Sequence, residues 1–179
     1  MSVPVAVEAD IVQVMEQMPY GMYIVGSSDS NGVPNGMMAD WVMKVSFQPR
    51  LVAVSFENDA HTLANIRSNG WFTVNLLPED EGGRKLAARF AQPYEDAKVL
   101  GRMQHTAHPV HPKLDGLDYS TAAGGGPILA GALSWLECEA EDFVPIGDHT
   151  LVTGYVRKGG VLREAEPLTS NYTGWTYSG

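Results

Sequence analysis

The segment between residues 31 and 62 constrains the fold more than any other part of the chain. It begins in an Asn-Gly turn, crosses a stretch rich in Gly, Met and Trp, and turns at Gln48-Pro49 before the apolar run Leu51 to Phe56. This run predicts a buried strand, and a helix is predicted to begin just beyond it, between Asn58 and Thr62. Two loops of small and polar residues that flank one buried strand suit a flat polar ligand at the strand ends.

Hydrophobic patterning elsewhere predicts many short strands and few helices. Period-2 or apolar runs predict strands at residues 22–28, 71–77, 133–142 and 149–157, and an Asp-Ser-Asn-Gly turn at 29–32 predicts a hairpin. Helical spacing predicts helices at residues 6–18, 60–68 and 79–91, the first lying on the sheet. The class is therefore mainly β, and we expect one domain over residues 1–179, built as a closed antiparallel barrel with short flanking helices.

Details of these elements follow from single residues. Asn58 or Asp59 is the expected N-cap of the second helix, and Asn69-Gly70 its C-terminal end. In the strand predicted at residues 133–142, apolar residues alternate with Glu137, Glu139 and Glu141, which predicts one solvated face. Residues 92–124 are expected to be irregular, and the Gly124–Gly126 run to be a hinge.

The composition excludes several classes of partner. The net charge of −9, from 12 Lys+Arg against 21 Asp+Glu, argues against nucleic-acid or anionic membrane partners. We expect no membrane span, because no apolar run reaches about 18 residues, and the N-terminal segment lacks the basic region of a secretory signal. The only cysteine, Cys138, excludes an intrachain disulfide and favours a cytoplasmic location.

Five segments in order resemble the flavin reductase-like FMN-binding domain family, the split-barrel flavoproteins. They are PYGM at 19–22, DSNGVPNGM at 29–37, SFQPRLVAVS at 46–55, TLANIRSNGWFTVNLL at 62–77 and GDHTLVTGYV at 147–156. The resemblance covers the chain from about residue 18 to 156, and it rests on order and spacing together. It implies FMN as cofactor, NADH or NADPH as electron donor, and a homodimer whose second subunit covers the flavin. Residues 92–124 and the aromatic tail are candidates for that cover.

The resemblance also implies a cofactor-binding set. The helix that opens at Asn58 to Thr62 offers free backbone N–H groups to a phosphate, and the segment 37–41 is expected to run past the ring and ribityl chain. The set is Met37, Met38, Ala39, Asp40, Trp41, Ser55, Glu57, Asn58, His61, Thr62 and His149.

Three of these residues depart from the family pattern. Many members carry Ser or Thr where this chain has Met38, Asp40 and Trp41. A carboxylate at Asp40 would repel a phosphate unless it points away or meets Lys44 or Arg67. Trp41 either walls the flavin or is a core aromatic.

His149 has two interpretations. The resemblance places it near the nicotinamide side of the flavin, whereas an ordinary hairpin-end histidine would bond a neighbouring backbone group. Since hydride transfer to flavin needs close stacking more than a strong acid or base, no catalytic residue is assigned, and His149 is expected to bind or orient.

Other chemistry is not supported by the sequence. The histidines at 105, 108 and 111 are separated by prolines and are expected to be solvated rather than metal ligands. Cys138 lies on an apolar strand face and is expected to pack. Ser46 and Ser55 lack the setting of a nucleophile elbow.

Three functions remain open at the level of sequence. The first is an enzyme that moves a hydride from NAD(P)H to FMN and passes reduced flavin or electrons to an oxygenase or redox-protein partner. The second is a non-catalytic FMN-binding electron carrier reduced by a protein. The third is a pyridoxamine-phosphate oxidase or haem-handling relative on the same barrel, which the GDH segment disfavours.

Overall fold

A computed structural model describes residues 5–91 and 112–175, with side chains from residue 9 onward. The histidines at 105, 108 and 111, most of the predicted irregular segment and the last four residues lie outside this part. The elements in chain order are α1 Val5–Glu16, β1 Tyr23–Ser28, β2 Pro34–Ala39, β3 Val42–Phe47, β4 Arg50–Glu57, α2 His61–Asn69, β5 Trp71–Leu76, α3 Glu81–Ala91, β6 Tyr119–Thr121, β7 Pro127–Leu129, β8 Ser134–Ile146, β9 His149–Val161 and a short α4 Ser170–Thr173.

Seven strands form one antiparallel sheet in the order β2-β1-β5-β8-β9-β4-β3. The predicted hairpin at residues 29–32 is confirmed, because β1 pairs with β2 and Val25 lies opposite Met37. β8 and β9 form a second, much longer hairpin that extends beyond the predicted strand ends. The predicted corner at Gln48-Pro49, a cis peptide bond, joins β3 to β4. The chain is therefore mainly β with few helices.

The sheet curls so that its two ends share one core. Ala39 at the end of β2, Val25 in β1, Val54 in β4 and Val152 in β9 belong to one buried cluster. Between the edge strands β2 and β3, no ladder pairing is present in the described residues. The sheet is thus wrapped around its core without a seam of hydrogen bonds that closes it.

Two helices cover the two cores. Leu63 and Ile66 of α2 are fully buried in the cluster inside the curled sheet. Ala87 and Phe90 of α3 pack in a second cluster on the other side of β1, together with Leu168 from the C-terminal segment. The C-terminal segment therefore packs against its own chain up to Trp175, whose side chain also contacts this cluster.

Buried polar side chains fasten the short β6–β7 hairpin to the sheet. Asn75 Nδ2 donates to the carbonyls of Ile24 and Pro127, and Asn75 Oδ1 accepts from the N–H of Leu129. Thr73 Oγ1 also donates to Pro127 O. These bonds satisfy backbone groups of a strand that has only one neighbour in its own small sheet.

Two predictions fail at this hairpin. Glu137 is buried rather than solvated, because its Oε1 accepts the Gly124 N–H at 2.7 Å under the overlying turn. The glycine run is a packed turn rather than a hinge. A Cβ at Gly124 would lie 2.4 Å from Trp71 Cβ, and a Cβ at Gly125, whose φ is +88°, would lie 2.2 Å from Ser28 Oγ. Only glycine permits the turn to approach these two side chains so closely.

The helix starts also correct the sequence analysis. The N-cap of α2 is Ala60, with no side-chain cap, so neither Asn58 nor Asp59 has that role. Gly70 ends the helix in the left-handed region, as predicted.

Helix α1 is present, but Ile11, Val14 and Met15 are exposed, so its apolar side is not covered by the sheet of its own chain. In the described part of the chain, no helix is long and apolar enough to cross a membrane.

Candidate functional site

Polar and aromatic side chains converge where the β2–β3 connection meets the end of β4 and the β8–β9 turn. Ser55 N–H donates to Trp41 O at 3.0 Å, which aligns the connection with β4. Glu57 lies opposite His149 in the β4–β9 register. The rings of Trp41 and His149 are 4.9 Å apart and tilted by 35°. The four residues form one surface at the outer face of the sheet.

A hydrogen-bond relay holds the β8–β9 turn in place. Thr150 Oγ1 donates to Asn58 Oδ1 at 2.7 Å, and it accepts from Arg67 Nη2 at 3.2 Å. Asn58 Nδ2 reaches Gly147 O, and Asn58 N–H donates to Asp148 O. The relay therefore links helix α2, the loop before it and the turn that carries His149.

His149 is buried, with 9% of its surface exposed, and it is bonded at one ring nitrogen. Its Nδ1 lies 2.7 Å from Asp148 Oδ1. This hydrogen bond lowers the pKa of the Asp148 carboxyl, whose side chain is otherwise 94% exposed. Asp148 thereby fixes the orientation of the imidazole ring.

Asp40 presents a buried carboxylate oxygen to this surface. Its Oδ2 and the Oγ of Ser55 are both buried, and neither has a hydrogen-bond partner among the described residues. Burial raises the pKa of the Asp40 carboxyl, while the backbone N–H groups of Asp40 and Trp41 and the nearby His149 oppose the rise. Since buried polar atoms in native proteins are nearly always hydrogen-bonded, these two atoms suit a polar ligand at this surface.

The start of helix α2 completes the site. Its first turn contains no acidic residue, and Ala60 supplies no side-chain cap. Thr62 is buried with 4% exposure in that turn. Uncapped N–H groups at the positive end of a helix, together with a hydroxyl, suit a phosphate or another anion.

The family model described as flavin reductase like domain matches residues 15–176 of the chain. The chain belongs to this family. In the described residues, the mainly β fold with few helices agrees with that assignment.

Named relatives carry the same assignment. A flavin reductase from Pseudomonas putida is 30% identical over 155 residues, which cover 87% of this chain and 81% of the relative. The structure of an NADH:FAD oxidoreductase from Streptomyces globisporus, solved with NAD and FAD fragments, has a TM-score of 0.72 at 25% identity. The match covers 94% of this chain and 91% of the oxidoreductase chain. The styrene monooxygenase flavin reductase from Pseudomonas putida has a TM-score of 0.68 at 25% identity, covering 88% and 89%.

The structure of this flavin reductase-like chain brings most of the predicted site residues together. Trp41, Ser55, Glu57 and His149 share one surface. Asp40 precedes Trp41 in the chain and is close enough to His149 for an electrostatic effect. His61 and Thr62 lie at the helix start, which follows β4 in sequence.

Adjacent residues of β2 face opposite sides of the sheet. Met37 packs on the core inside the curled sheet, whereas Met38 packs on the cluster with α3. Ala39 is buried. The side chain of Asn58 is occupied at both ends by the relay, so Asn58 positions the turn instead of offering its amide to a ligand.

Thr150 was not predicted as a site residue, and Arg67 was considered as a partner for Asp40. Arg67 bonds Thr150 and lies 5.6 Å from the centre of the Phe143 ring, so it has a structural role beside the β8–β9 turn. Neither contact has a local sequence signal, because the two residues lie 83 positions apart.

Cys138 is a packing residue, as predicted. It is fully buried, and burial, with the nearby Glu137 charge, raises the pKa of its thiol to about 12. A thiol with so high a pKa is not a nucleophile near neutral pH. Among the described residues, no group of His, Cys, Asp and Glu is arranged to hold a metal ion.

Proposed function

We propose that this chain is an NAD(P)H-dependent flavin reductase that uses FMN. The observation that carries the proposal is the pair of buried, unpartnered atoms, Asp40 Oδ2 and Ser55 Oγ, in a chain that belongs to the flavin reductase-like family. A flavin held there would supply the hydride acceptor for nicotinamide, and the protein would supply binding and orientation.

Each part of the site has a role in this proposal. The first turn of α2, with Thr62 and His61, holds the phosphate. Trp41, Asp40, Ser55 and the backbone of residues 37–41 bound the ring and ribityl chain. His149, held by Asp148 and stacked with Trp41, faces the nicotinamide side. Glu57, opposite His149, lines the same surface.

The donor is NADH or NADPH, and FMN is favoured over FAD because the anion site at α2 suits a terminal phosphate. The Streptomyces relative was solved with FAD fragments, so both flavins belong in the binding test. The third hypothesis from the sequence, a pyridoxamine-phosphate oxidase or haem-handling relative, is not favoured by the family match.

Reduced flavin or electrons pass to an oxygenase in this proposal. The styrene monooxygenase flavin reductase carries that kind of partnership in its name, and its fold matches most of this chain. The electron-carrier alternative is less favoured, since the relatives reported above are named reductases or oxidoreductases.

We also infer a homodimer, a single domain over residues 1–179 and a barrel closed between β2 and β3. An exposed apolar face supports the dimer: the strand pairing places Met43, Val144 and Ile146 on the same face as Trp41 and His149. These three side chains are 45–63% exposed. A second copy on this face would cover the flavin site. A cytoplasmic location is supported by the single, buried Cys138.

Steady-state oxidation of NADH in the presence of added FMN tests this function. Thr62→Ala should weaken FMN binding by about 1–2 kcal/mol, because it removes one charge-assisted hydrogen bond to the phosphate. Thr62→Ser keeps the hydroxyl and should restore binding. Riboflavin, which lacks the phosphate, should bind the wild type and Thr62→Ala equally. An unchanged FMN affinity in Thr62→Ala would place the phosphate elsewhere.

A further inference from the structure

Asp40 is the acidic residue in the segment 37–41 that is proposed to run past the flavin. An ionised carboxylate only accepts hydrogen bonds, and it adds a negative charge. Asp40 Oδ2 is buried and unpartnered among the described residues, so this charge is not neutralised there by a direct ion pair.

The charged groups named around Asp40 are bonded to other partners. His149 acts on Asp40 through space, but its Nδ1 is bonded to Asp148, which is itself an acid. Arg67, a cation near this turn, bonds Thr150. A flavin in this site therefore meets a carboxylate in a place where solvent screening is weak.

Flavin changes its charge when it is reduced. A hydride carries two electrons and one proton from the nicotinamide, which becomes the oxidised form, and the flavin gains one negative charge. Both redox forms of flavin offer N–H and O–H groups from which a carboxylate can accept, but only the reduced anion carries the added negative charge that a carboxylate repels.

We propose that Asp40 makes this site bind reduced flavin more weakly than oxidised flavin, so that the reduced product leaves for a partner protein. This inference rests on the proposed flavin site and says how that site handles its product. Asp40 acts here as a residue that selects the redox state of the ligand, and it takes no part in moving the hydride.

The test compares dissociation constants for oxidised FMN and for dithionite-reduced FMN, measured without oxygen on the wild type and on Asp40→Asn. The wild type should bind the reduced form more weakly. Asp40→Asn should narrow the ratio of the two constants by about tenfold, the effect of one charge at short range in a partly screened site. For a two-electron couple, tenfold corresponds to a rise of about 30 mV in the midpoint potential of bound FMN.

Three controls separate the possible causes. Asp40→Ser replaces the carboxylate with a hydroxyl and should narrow the ratio as Asp40→Asn does, which also guards against a variant that folds poorly. Asp148→Asn removes a neighbouring carboxylate that is 94% exposed, and it should leave the ratio nearly unchanged. Riboflavin should repeat the FMN pattern, because the effect concerns the ring.

Each contrary outcome of this experiment has a different consequence. A ratio that is the same in wild type and both Asp40 variants overturns the proposal while leaving the reductase intact. An effect on FMN that is absent with riboflavin would place Asp40 beside the phosphate and also overturns it. If the wild type binds neither flavin, the proposed function itself fails, and this inference falls with it.

Discussion

At the scale of single residues, His149 is held on two sides in the candidate site. It stacks on Trp41, bonds Asp148 and is almost fully buried. Sequence analysis predicted its position after the turn from the GDH motif. The stacking with Trp41 was not predictable, because Trp41 lies in the β2–β3 connection and His149 begins β9, and only the β3–β4–β9 pairing brings them together.

His149→Ala should raise the KM for NAD(P)H several-fold with a smaller change in kcat, the pattern for lost uniform binding. FMN affinity should change little, because the anion site at α2 stays intact. The KM of His149→Gln, which keeps one hydrogen-bonding group, should lie between those of the wild type and His149→Ala. Loss of FMN in His149→Ala would instead make His149 a flavin ligand, and unchanged kinetics would move the nicotinamide to another surface.

Asp40 and Asp148 should affect stability with opposite signs in the flavin-free protein. The pKa of Asp40 is raised by burial above its usual value of 3.8, so its ionised form costs folding free energy at neutral pH. This destabilisation develops as the pH rises from the pKa of Asp40 in the unfolded chain through its higher pKa in the folded protein. Asp40→Asn should therefore be more stable than the wild type at pH 7, with the gain vanishing in acid.

Asp148 is the matched comparison. Its pKa is lowered by His149, so its stabilisation is present above the unfolded value and is lost as the pH falls through the folded value. Asp148→Asn should lower stability slightly at pH 7 and converge with the wild type in acid. Urea unfolding midpoints of the wild type and the two variants, measured from acid to pH 7, report the sign of each effect on stability. A loss of stability in Asp40→Asn at pH 7 would contradict the burial argument.

At the scale of elements, the relay through Thr150 joins α2 to the β8–β9 turn. Period and turn residues were enough to predict both elements, since their signals are local. The N-cap prediction failed because Asn58 uses its side chain to bond Thr150 and Gly147, which lie far away in the sequence. A capping residue was predicted from a local preference that a long-range contact overrides.

Thr150→Val should destabilise the protein by about 1 kcal/mol, because it removes the hydroxyl that donates to Asn58 and accepts from Arg67 while keeping the shape. Thr150→Ser keeps the hydroxyl and should retain the relay. Thr153→Val, on the same strand, removes a hydroxyl that accepts only from the exposed Asp142 N–H, and its effect should stay within about 0.5 kcal/mol.

The readout is the midpoint of urea unfolding at constant slope, together with the KM for NAD(P)H. The relay account expects Thr150→Val to raise this KM, because the turn carries His149. Equal stabilities for Thr150→Val and Thr153→Val would mean that the relay does not hold the turn.

At the scale of the whole molecule, the sequence predicted a mainly β chain with few helices, and the seven-stranded sheet confirms it. The order of the strands in the sheet could not be predicted, because residues as distant in sequence as Glu57 and His149 become neighbours only in the folded chain. The burial of Glu137 was also unpredictable, since alternation along β8 says nothing of the hairpin that packs over it.

The exposed apolar face predicts a dimer in solution. Sedimentation at micromolar concentration should give twice the mass of one chain. Replacing Val144 and Ile146 with Lys should shift the protein to the monomer and weaken FMN binding, because charged side chains resist burial in an interface. Val161→Lys is the matched control: Val161 is 76% exposed at the other end of β9 and should leave the dimer intact. A wild-type monomer that retains FMN would contradict this arrangement.

The most direct measurement of the central claim is anaerobic reduction of FMN by NADH or NADPH, followed by the loss of flavin absorbance. Catalytic amounts of the purified protein should reduce excess FMN far faster than the same mixture without protein, with one nicotinamide oxidised for each flavin. If neither donor reduces FMN or FAD faster than the blank, although the protein binds flavin, the chain is not a flavin reductase and the electron-carrier reading replaces it.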